Sequence, residues 1–263
     1  MKTTIYYFTG TGNSLKLAKD LSEKLNESEL VPIAKVWEDD HHASSSENVG
    51  LVFPLYYAGL PKIVYDFLTK IDLAKSNYFF TVVTYAGDIN TTPLLQIETI
   101  LNSKSKTLSA GYYVLMPNNY ILGYDIHSEE RQKEYFEKAN KIISEIGKAV
   151  EKNDVNLDKD IFKKRRIKSE KFNKNFRDTV YESDKSFYAE ESCTSCGICA
   201  NVCPVNNIAL IEDKPQWKHK CQQCLACINF CPEKCIQFGD KTVKTQRYHH
   251  PEIEVKDLIN QKN

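Results

Sequence analysis

Eight of the nine cysteines in this chain fall into two copies of one spacing. Cys193, Cys196, Cys199 and Cys203 stand two, two and three residues apart and are followed by Pro204. Cys221, Cys224, Cys227, Cys231 and Pro232 repeat the pattern, and Ile208 recurs as Ile236. The segment therefore reads as a duplicated small unit. Every cysteine lies at or after Cys193, which is not how a secreted disulfide scaffold distributes them. An odd count suits eight ligands and one spare. Thiolates are soft donors that match iron–sulfur chemistry, and three of them two residues apart wrap one loop around a cluster. The competing reading is structural zinc. Zinc sites take paired cysteines, not a run of three plus Cys-Pro, duplicated. Gly197, inside the first ligand loop, lets backbone N–H groups approach the cluster sulfurs, a contact that helps set reduction potential. Cys235 falls outside the pattern, where the first copy has Asn207, and reads as a buried small apolar residue, with a redox or ligand-exchange role as the minor reading.

The chain has 263 residues, room for one large domain or two smaller ones, and its 41% apolar content is enough for a core. Lys plus Arg equals Asp plus Glu at 35 each, so charge gives no support for a nucleic-acid or membrane-surface role. No apolar run approaches the roughly 18 residues of a membrane span. The first residues, MKTTIYYFTGTGNS, lack a secretory pattern. The expectation is a cytoplasmic protein.

Composition divides the chain into four stretches. Residues 1–152 alternate apolar runs with amphipathic ones. Strand-like runs are Thr3–Phe8, Leu30–Ile33, Val49–Pro54, Tyr78–Tyr85 and Leu108–Met116; helical candidates are Asn13–Leu25, Pro61–Ile71, Thr92–Leu101 and Ser128–Glu151. The first, third and fourth runs are nearly all apolar or β-branched, as parallel strands buried on both faces require. The pattern predicts an α/β fold with a five-stranded, doubly wound parallel sheet. Residues 153–187 predict a charged helical linker. Its basic run, Ile161 to Lys168, reads as a solvated helix face because Asp158, Asp160, Glu170 and Asp178 cancel most of its field. Residues 188–240 hold the cysteines, in a small α+β unit. Residues 241–263 read as a polar tail with some helical potential.

The first strand runs into Thr9-Gly10-Thr11-Gly12-Asn13-Ser14 and then an amphipathic helix. Glycines let such a loop curl so that N–H groups at the helix start face an anion, and Thr9, Thr11 and Ser14 add hydroxyls. The third glycine of a dinucleotide fingerprint is absent, since Leu15 stands there, and no Gly-Lys-Ser/Thr appears. A plain strand–turn–helix with ordinary caps is the bland alternative. The loop resembles the phosphate loop of the flavodoxin family, Ser/Thr-x-Thr-Gly-Asn-Ser/Thr, at every position. The resemblance implies FMN, with its ring at the carboxyl ends of the strands. Two later strand ends then become ring loops: Pro54, Leu55, Tyr56, Tyr57, Ala58 and Gly59 after the third strand, and Thr84, Tyr85, Ala86, Gly87 and Asp88 after the fourth. Tyr56, Tyr57 and Tyr85 are candidates for stacking, and Asn119, after the fifth strand, for lining the cofactor edge. His41, His42, His249 and His250 read as solvated, His127 as the start of the last sheet-domain helix, and His219 as a neighbour of the complete ligand set.

Residues 188–240 resemble a bacterial-type two-cluster ferredoxin domain. In that family the fourth cysteine of each run serves the other cluster. This implies one [4Fe-4S] cluster on Cys193, Cys196, Cys199 and Cys231, and a second on Cys221, Cys224, Cys227 and Cys203. The two resemblances together suggest the flavodoxin–ferredoxin fusions of anaerobes. They imply an electron-transfer flavoprotein relaying electrons between FMN, the clusters and a protein redox partner, such as a ferredoxin or an oxidoreductase. A reductase of a small substrate and a redox-sensing module stay open, as does a homodimer. No second dinucleotide motif is present, so a nicotinamide donor is not expected.

Overall fold

A computed structural model describes residues 1–87, 92–157 and 167–262. Five strands, β1 (Thr3–Tyr7), β2 (Ser28–Pro32), β3 (Asn48–Pro54), β4 (Tyr78–Tyr85) and β5 (Ala110–Leu115), form one sheet in the order β2-β1-β3-β4-β5. Every pairing is parallel; Ile5 stands between Leu30 and Gly50, and Val52 beside Val82. All residues of β1 and β3 are buried, and all of β4 except Tyr85. This is the two-sided burial that their apolar runs foretold.

The two faces carry separate cores. On one, α3 (Lys62–Lys70) and α4 (Pro93–Ser103) bring Ile63, Phe67, Leu94 and Ile97 against Tyr6, Phe8, Leu51 and Phe53. On the other, α1 (Asn13–Ser22) and α5 (Glu129–Glu151) bring Leu17, Leu21, Ile143 and Ile146 against Ile5, Val52 and Phe80. Each such side chain contributes about 1.5–3 kcal/mol by leaving water. The α5 helix begins at Ser128, whose Oγ accepts the Arg131 N–H, and has Glu129 and Glu130 in its first turn and Lys148 in its last. That charge order suits the helix dipole. A short α2 (Ile33–Val36) follows β2, where the sequence suggested no helix.

The cysteine region is small and irregular. Strand β6 (Phe187–Ala189) pairs antiparallel with β9 (Ile236–Phe238), and β7 (Ile208–Ile211) with β8 (Lys214–Trp217). The duplication is visible in the backbone. Each cysteine run enters a one-turn helix, α7 (Ile198–Asn201) or α8 (Ala226–Asn229), through a left-handed residue, Gly197 at φ 76° or Leu225 at φ 61°.

Two segments join this region to the sheet. Helix α6 (Ile167–Thr179) lies over the loop after β3, where the buried Asn173 Nδ2 donates to the carbonyls of Tyr56 (2.9 Å) and Leu60 (3.1 Å). Residues 161–166 of the basic run lie outside the described residues. The C-terminal stretch, taken from sequence as a polar tail, folds back onto the sheet domain and ends in α9 (Val255–Ile259). Its Tyr248, Ile253 and Leu258 are buried, and Lys16–Glu252 (3.0 Å) and Lys19–Asp257 (2.7 Å) ion pairs tie it to α1. Among the described residues no helix is long and apolar enough to cross a membrane.

Candidate functional site

The eight patterned cysteines sort themselves into two groups of four. Cys193, Cys196, Cys199 and Cys231 line one small cavity. Cys203, Cys221, Cys224 and Cys227 line another. Each run of three is thus joined by the fourth cysteine of the other run. The first set is the outer one, because Cys196 is exposed. Among the described residues no three His, Cys, Asp or Glu side chains are grouped to hold a metal ion between them. The four thiols of each set stand round a cavity instead, which suits a body several atoms across. Burial raises the Cys199 and Cys221 thiols to about 11 and also pushes up Cys203, Cys224 and Cys227. As free thiols they would keep their protons at pH 7. Bound cationic iron is what would draw those protons off. Cys235, 2% exposed, also lines the outer cavity, with its Sγ 3.4 Å from that of Cys231.

A far larger cavity, of about 840 Å³, opens at the carboxyl ends of the sheet strands. That lies within the range of ligand pockets. Leu55, Tyr56, Tyr57 and Ala58 line it from the loop after β3, Ala86 and Gly87 from the loop after β4, and Asn119 from the loop after β5. The cysteine region closes it with Gln223, Cys224 and Leu225. Cys224 therefore borders both this cavity and the inner thiol cavity. Tyr56 records the same proximity: burial holds its hydroxyl well above the usual range, and the charges of Cys224 and Cys221 add to the rise. Tyr57 is stacked on Phe176 of α6 at 4.2 Å and bonded through its hydroxyl to Tyr120 at 2.7 Å. Gln223 Oε1 is buried in this surround with no hydrogen-bond partner, an acceptor left free for a ligand N–H.

The Thr9–Ser14 loop lies at the start of α1 and is wholly buried. Thr9 Oγ1 accepts the Gly12 N–H (3.0 Å), Ser14 Oγ meets Thr84 Oγ1 (2.8 Å), and Asn13 Nδ2 donates to the Pro117 carbonyl (3.0 Å). Asn119 Nδ2 donates to Thr11 Oγ1 at 2.6 Å, so Asn119 links the loop to the large cavity that it lines. Gly10 and Gly12 do more than curl the chain. A Cβ on Gly10 would collide with the Cys224 carbonyl, and one on Gly12, at φ 99°, would meet Ile253 at 2.9 Å.

Residues 4–112 match the flavodoxin domain family, and residues 187–209 match the 4Fe-4S binding domain family. The chain joins a flavodoxin domain to a 4Fe-4S domain. The second match holds the first cysteine run; the second run lies beyond it. Among solved structures the chain is similar to rubredoxin oxygen:oxidoreductase from the anaerobe Desulfovibrio gigas, at 13% identity and a TM-score of 0.33, over 56% of this chain and 36% of that one. It is also similar to a flavodoxin from the domain Archaea, at 12% identity and a TM-score of 0.33, over 56% of this chain and 99% of that one. No curated protein matches the chain. The flavodoxin domain, the strand-end cavity and the free Gln223 acceptor fit a flavin. The thiol sets of the 4Fe-4S domain fit iron–sulfur chemistry. Electron transfer or another redox function follows from the pair.

Several residues of the flavodoxin domain sit elsewhere than the sequence suggested. Tyr85 does not line the cavity; it packs edge-on against Tyr113 at 6.1 Å, because the sheet edge offers a closer aromatic partner. Gly59 is withdrawn too, with the Asn173 and Gln96 amides packed against its Cα. Pro54 and Thr84 are buried strand ends that support the loops. Asp88 lies outside the described residues. His250 is 1% exposed rather than solvated: its backbone N–H donates to the Thr11 carbonyl at 2.8 Å and its ring packs on Phe136. His249 is exposed, as the sequence suggested, although its ring stacks on Phe230, whereas His42 is half-buried with Nε2 3.1 Å from the Tyr6 hydroxyl. His127 stands just before α5, where its Nδ1 accepts the Asn118 N–H (3.0 Å) and its side chain lines the cavity. His219 pairs with the buried Asp184 at 2.8 Å. The cavity residues missed from sequence, chiefly Phe172 and Gln223, come from the linker helix and the second cysteine run, whereas Tyr120 lies in the strand end Met116–Tyr120 that the sequence placed at the cofactor edge.

Proposed function

We propose that this chain relays electrons between FMN, held by the flavodoxin domain, two [4Fe-4S] clusters and an external redox protein. The observation that carries the reading is the position of Cys224, which borders the inner thiol cavity and the large strand-end cavity at once. The outer set, with Cys196 exposed, is the side a partner protein reaches; the inner set is the side facing the flavin site. A bound flavin supplies one- or two-electron chemistry and a cluster one-electron chemistry, so the pairing converts between them. The chain's own residues supply position and insulation. Leu55, Tyr56, Tyr57, Ala86 and Gly87 hold the ring against the strand ends. The Thr9–Ser14 loop, at the N-terminus of α1, receives the phosphate. Leu225, buried and lining both cavities, excludes water from the side facing the clusters.

The partner is a protein rather than a nicotinamide, since the sequence carries no second dinucleotide motif. Anaerobic purification followed by cofactor and iron analysis tests the composition: one FMN and about eight irons per chain support it, and absence of FMN or about four irons contradicts it. Rapid flavin bleaching by NADH or NADPH alone would count against a protein donor.

A second reading is a reductase of a small substrate fed through the clusters. The size of the cavity favours it: about 840 Å³ lies toward the upper end of ligand pockets, and Tyr124, Asp125 and His127 add polar groups beyond the ring loops. Flavin reoxidation that is accelerated by a small acceptor, and slowed by His127→Ala, would favour this reading over shuttling.

A further inference from the structure

The inner cavity is lined by more than its four thiols. Trp217 and Gln222 also border it, and each has a buried side-chain N–H with no hydrogen-bond partner: Trp217 Nε1 and Gln222 Nε2. Folded proteins seldom leave buried donors unpaired, and two at one cavity point to an acceptor inside it. The orientation of the Gln222 amide is fixed. Its Oε1 accepts the N–H of Ile63, at the start of α3, at 3.0 Å, so Nε2 is the atom left over. That nitrogen carries two hydrogens. The neighbouring Tyr181 hydroxyl can take one of them, and the other remains for the cavity. Trp217 is held by stacking on Phe187 (5.6 Å, 15°) and by the pairing of β8 with Ile208, and an indole N–H can only donate. The outer cavity differs: no side chain lining it carries an N–H.

We propose that Trp217 Nε1 and Gln222 Nε2 donate hydrogen bonds to the sulfur atoms of the cluster held by the inner set, and that they raise its reduction potential. This rests on the reading of Cys203, Cys221, Cys224 and Cys227 as a [4Fe-4S] site. Reduction adds one electron, delivered from the outer cluster, and neither forms nor breaks a covalent bond. The added negative charge is disfavoured by burial and favoured by N–H donors aimed at sulfur. The inner set is the more deeply enclosed by protein, so without donors its cluster would be the harder to reduce. The two N–H groups offset that penalty and keep the inner cluster within reach of electrons from the outer one. Since the Gln222 amide is oriented by Ile63, the flavodoxin domain itself holds one of the donors in place.

The test is an anaerobic redox titration of the protein followed by EPR, in Trp217→Phe and Gln222→Met. The first keeps the ring and removes the N–H; the second keeps the length of the side chain and removes the donor without adding a charge. At the potential that half-reduces the inner cluster of the unaltered protein, the reduced-to-oxidised ratio should fall about five- to tenfold in each variant, while the outer cluster is unchanged. An unmoved ratio in both, at full iron content, overturns the proposal. Should a variant fail to hold the cluster, pulsed EPR of the unaltered protein labelled with ¹⁵N at the indole and glutamine amide nitrogens decides. Coupling of both to the reduced inner cluster supports the proposal and its absence overturns it. Failure of the underlying reading looks different: the iron count falls to about four.

Discussion

Gly10 illustrates how one residue can serve two ends. From sequence it belongs to a phosphate loop, and it does stand at the start of α1. In the fold its missing side chain also admits the Cys224 carbonyl, so the loop and the inner thiol set touch. Gly10→Ala should therefore destabilise the protein by about 1–3 kcal/mol through overpacking, and slow flavin reduction through the clusters. Chemical denaturation and single-turnover kinetics measure the two effects. His250 makes a second residue-scale prediction. Burial lowers its pKa from 6.5 to about 4; Glu252 opposes the shift, and Lys16 and His249 reinforce it. The neutral ring also accepts the Glu252 N–H at Nδ1. A histidine with a depressed folded pKa takes up its proton more readily when unfolded, so stability is full above about 6.5 and falls as pH drops toward 4. The loss from this group should reach about 2 kcal/mol at pH 5. Urea denaturation at pH 7 and pH 5 should show it in the unaltered protein and not in His250→Gln. The burial was not legible because nothing in the local sequence near His249 and His250 marks a core; the partners, Thr11 and Phe136, are far away in the chain.

At the scale of elements, the three central strands β1, β3 and β4 were legible to within a residue, because a parallel strand covered on both faces must be apolar along its length, while the edge strands β2 and β5 are shifted at an end by two residues. The predicted Tyr78–Tyr85 run and β4 coincide. Polar segments that dock gave no such signal. In α6, Phe176 and Asn173 are buried, while Ile167 and Phe172 are exposed. Asn173→Ala would remove the donor to the Leu60 carbonyl, leave the Tyr56 carbonyl with the Gly59 N–H alone (2.9 Å), and strip Gln96 Nε2 (2.8 Å) and Arg177 Nε (3.0 Å) of an acceptor. The cost should be on the order of 2–4 kcal/mol, with weaker flavin binding because the loop after β3 loses its anchor. Fluorescence titration with FMN measures that change. The C-terminal stretch behaves alike: Tyr248 donates from its hydroxyl to Asn13 Oδ1 at 2.6 Å in a buried contact with the Thr9–Ser14 loop. Tyr248→Phe should cost about 1–2 kcal/mol, read by denaturation, and should loosen that loop.

In the whole molecule, the cysteine duplication was fully legible and the way the halves meet was not. Spacing marked two runs of four thiols, and the ferredoxin resemblance implied that each run lends its fourth cysteine to the other; the cavities have that crossed membership. Spacing could not say which set faces the sheet, because that depends on Gly10, Ile63 and the C-terminal stretch acting together. In the proposed relay, electrons reach the flavin through the thiol-held clusters. Anaerobic flash reduction, with cluster and flavin absorbance followed in the same shot, tests it most directly. Cluster bleaching should precede flavin reduction, and Cys196→Ser, which removes an outer thiol, should slow flavin reduction at least tenfold with FMN still bound. Flavin reduction at an unchanged rate in that variant, or ahead of the clusters in the unaltered protein, would contradict it.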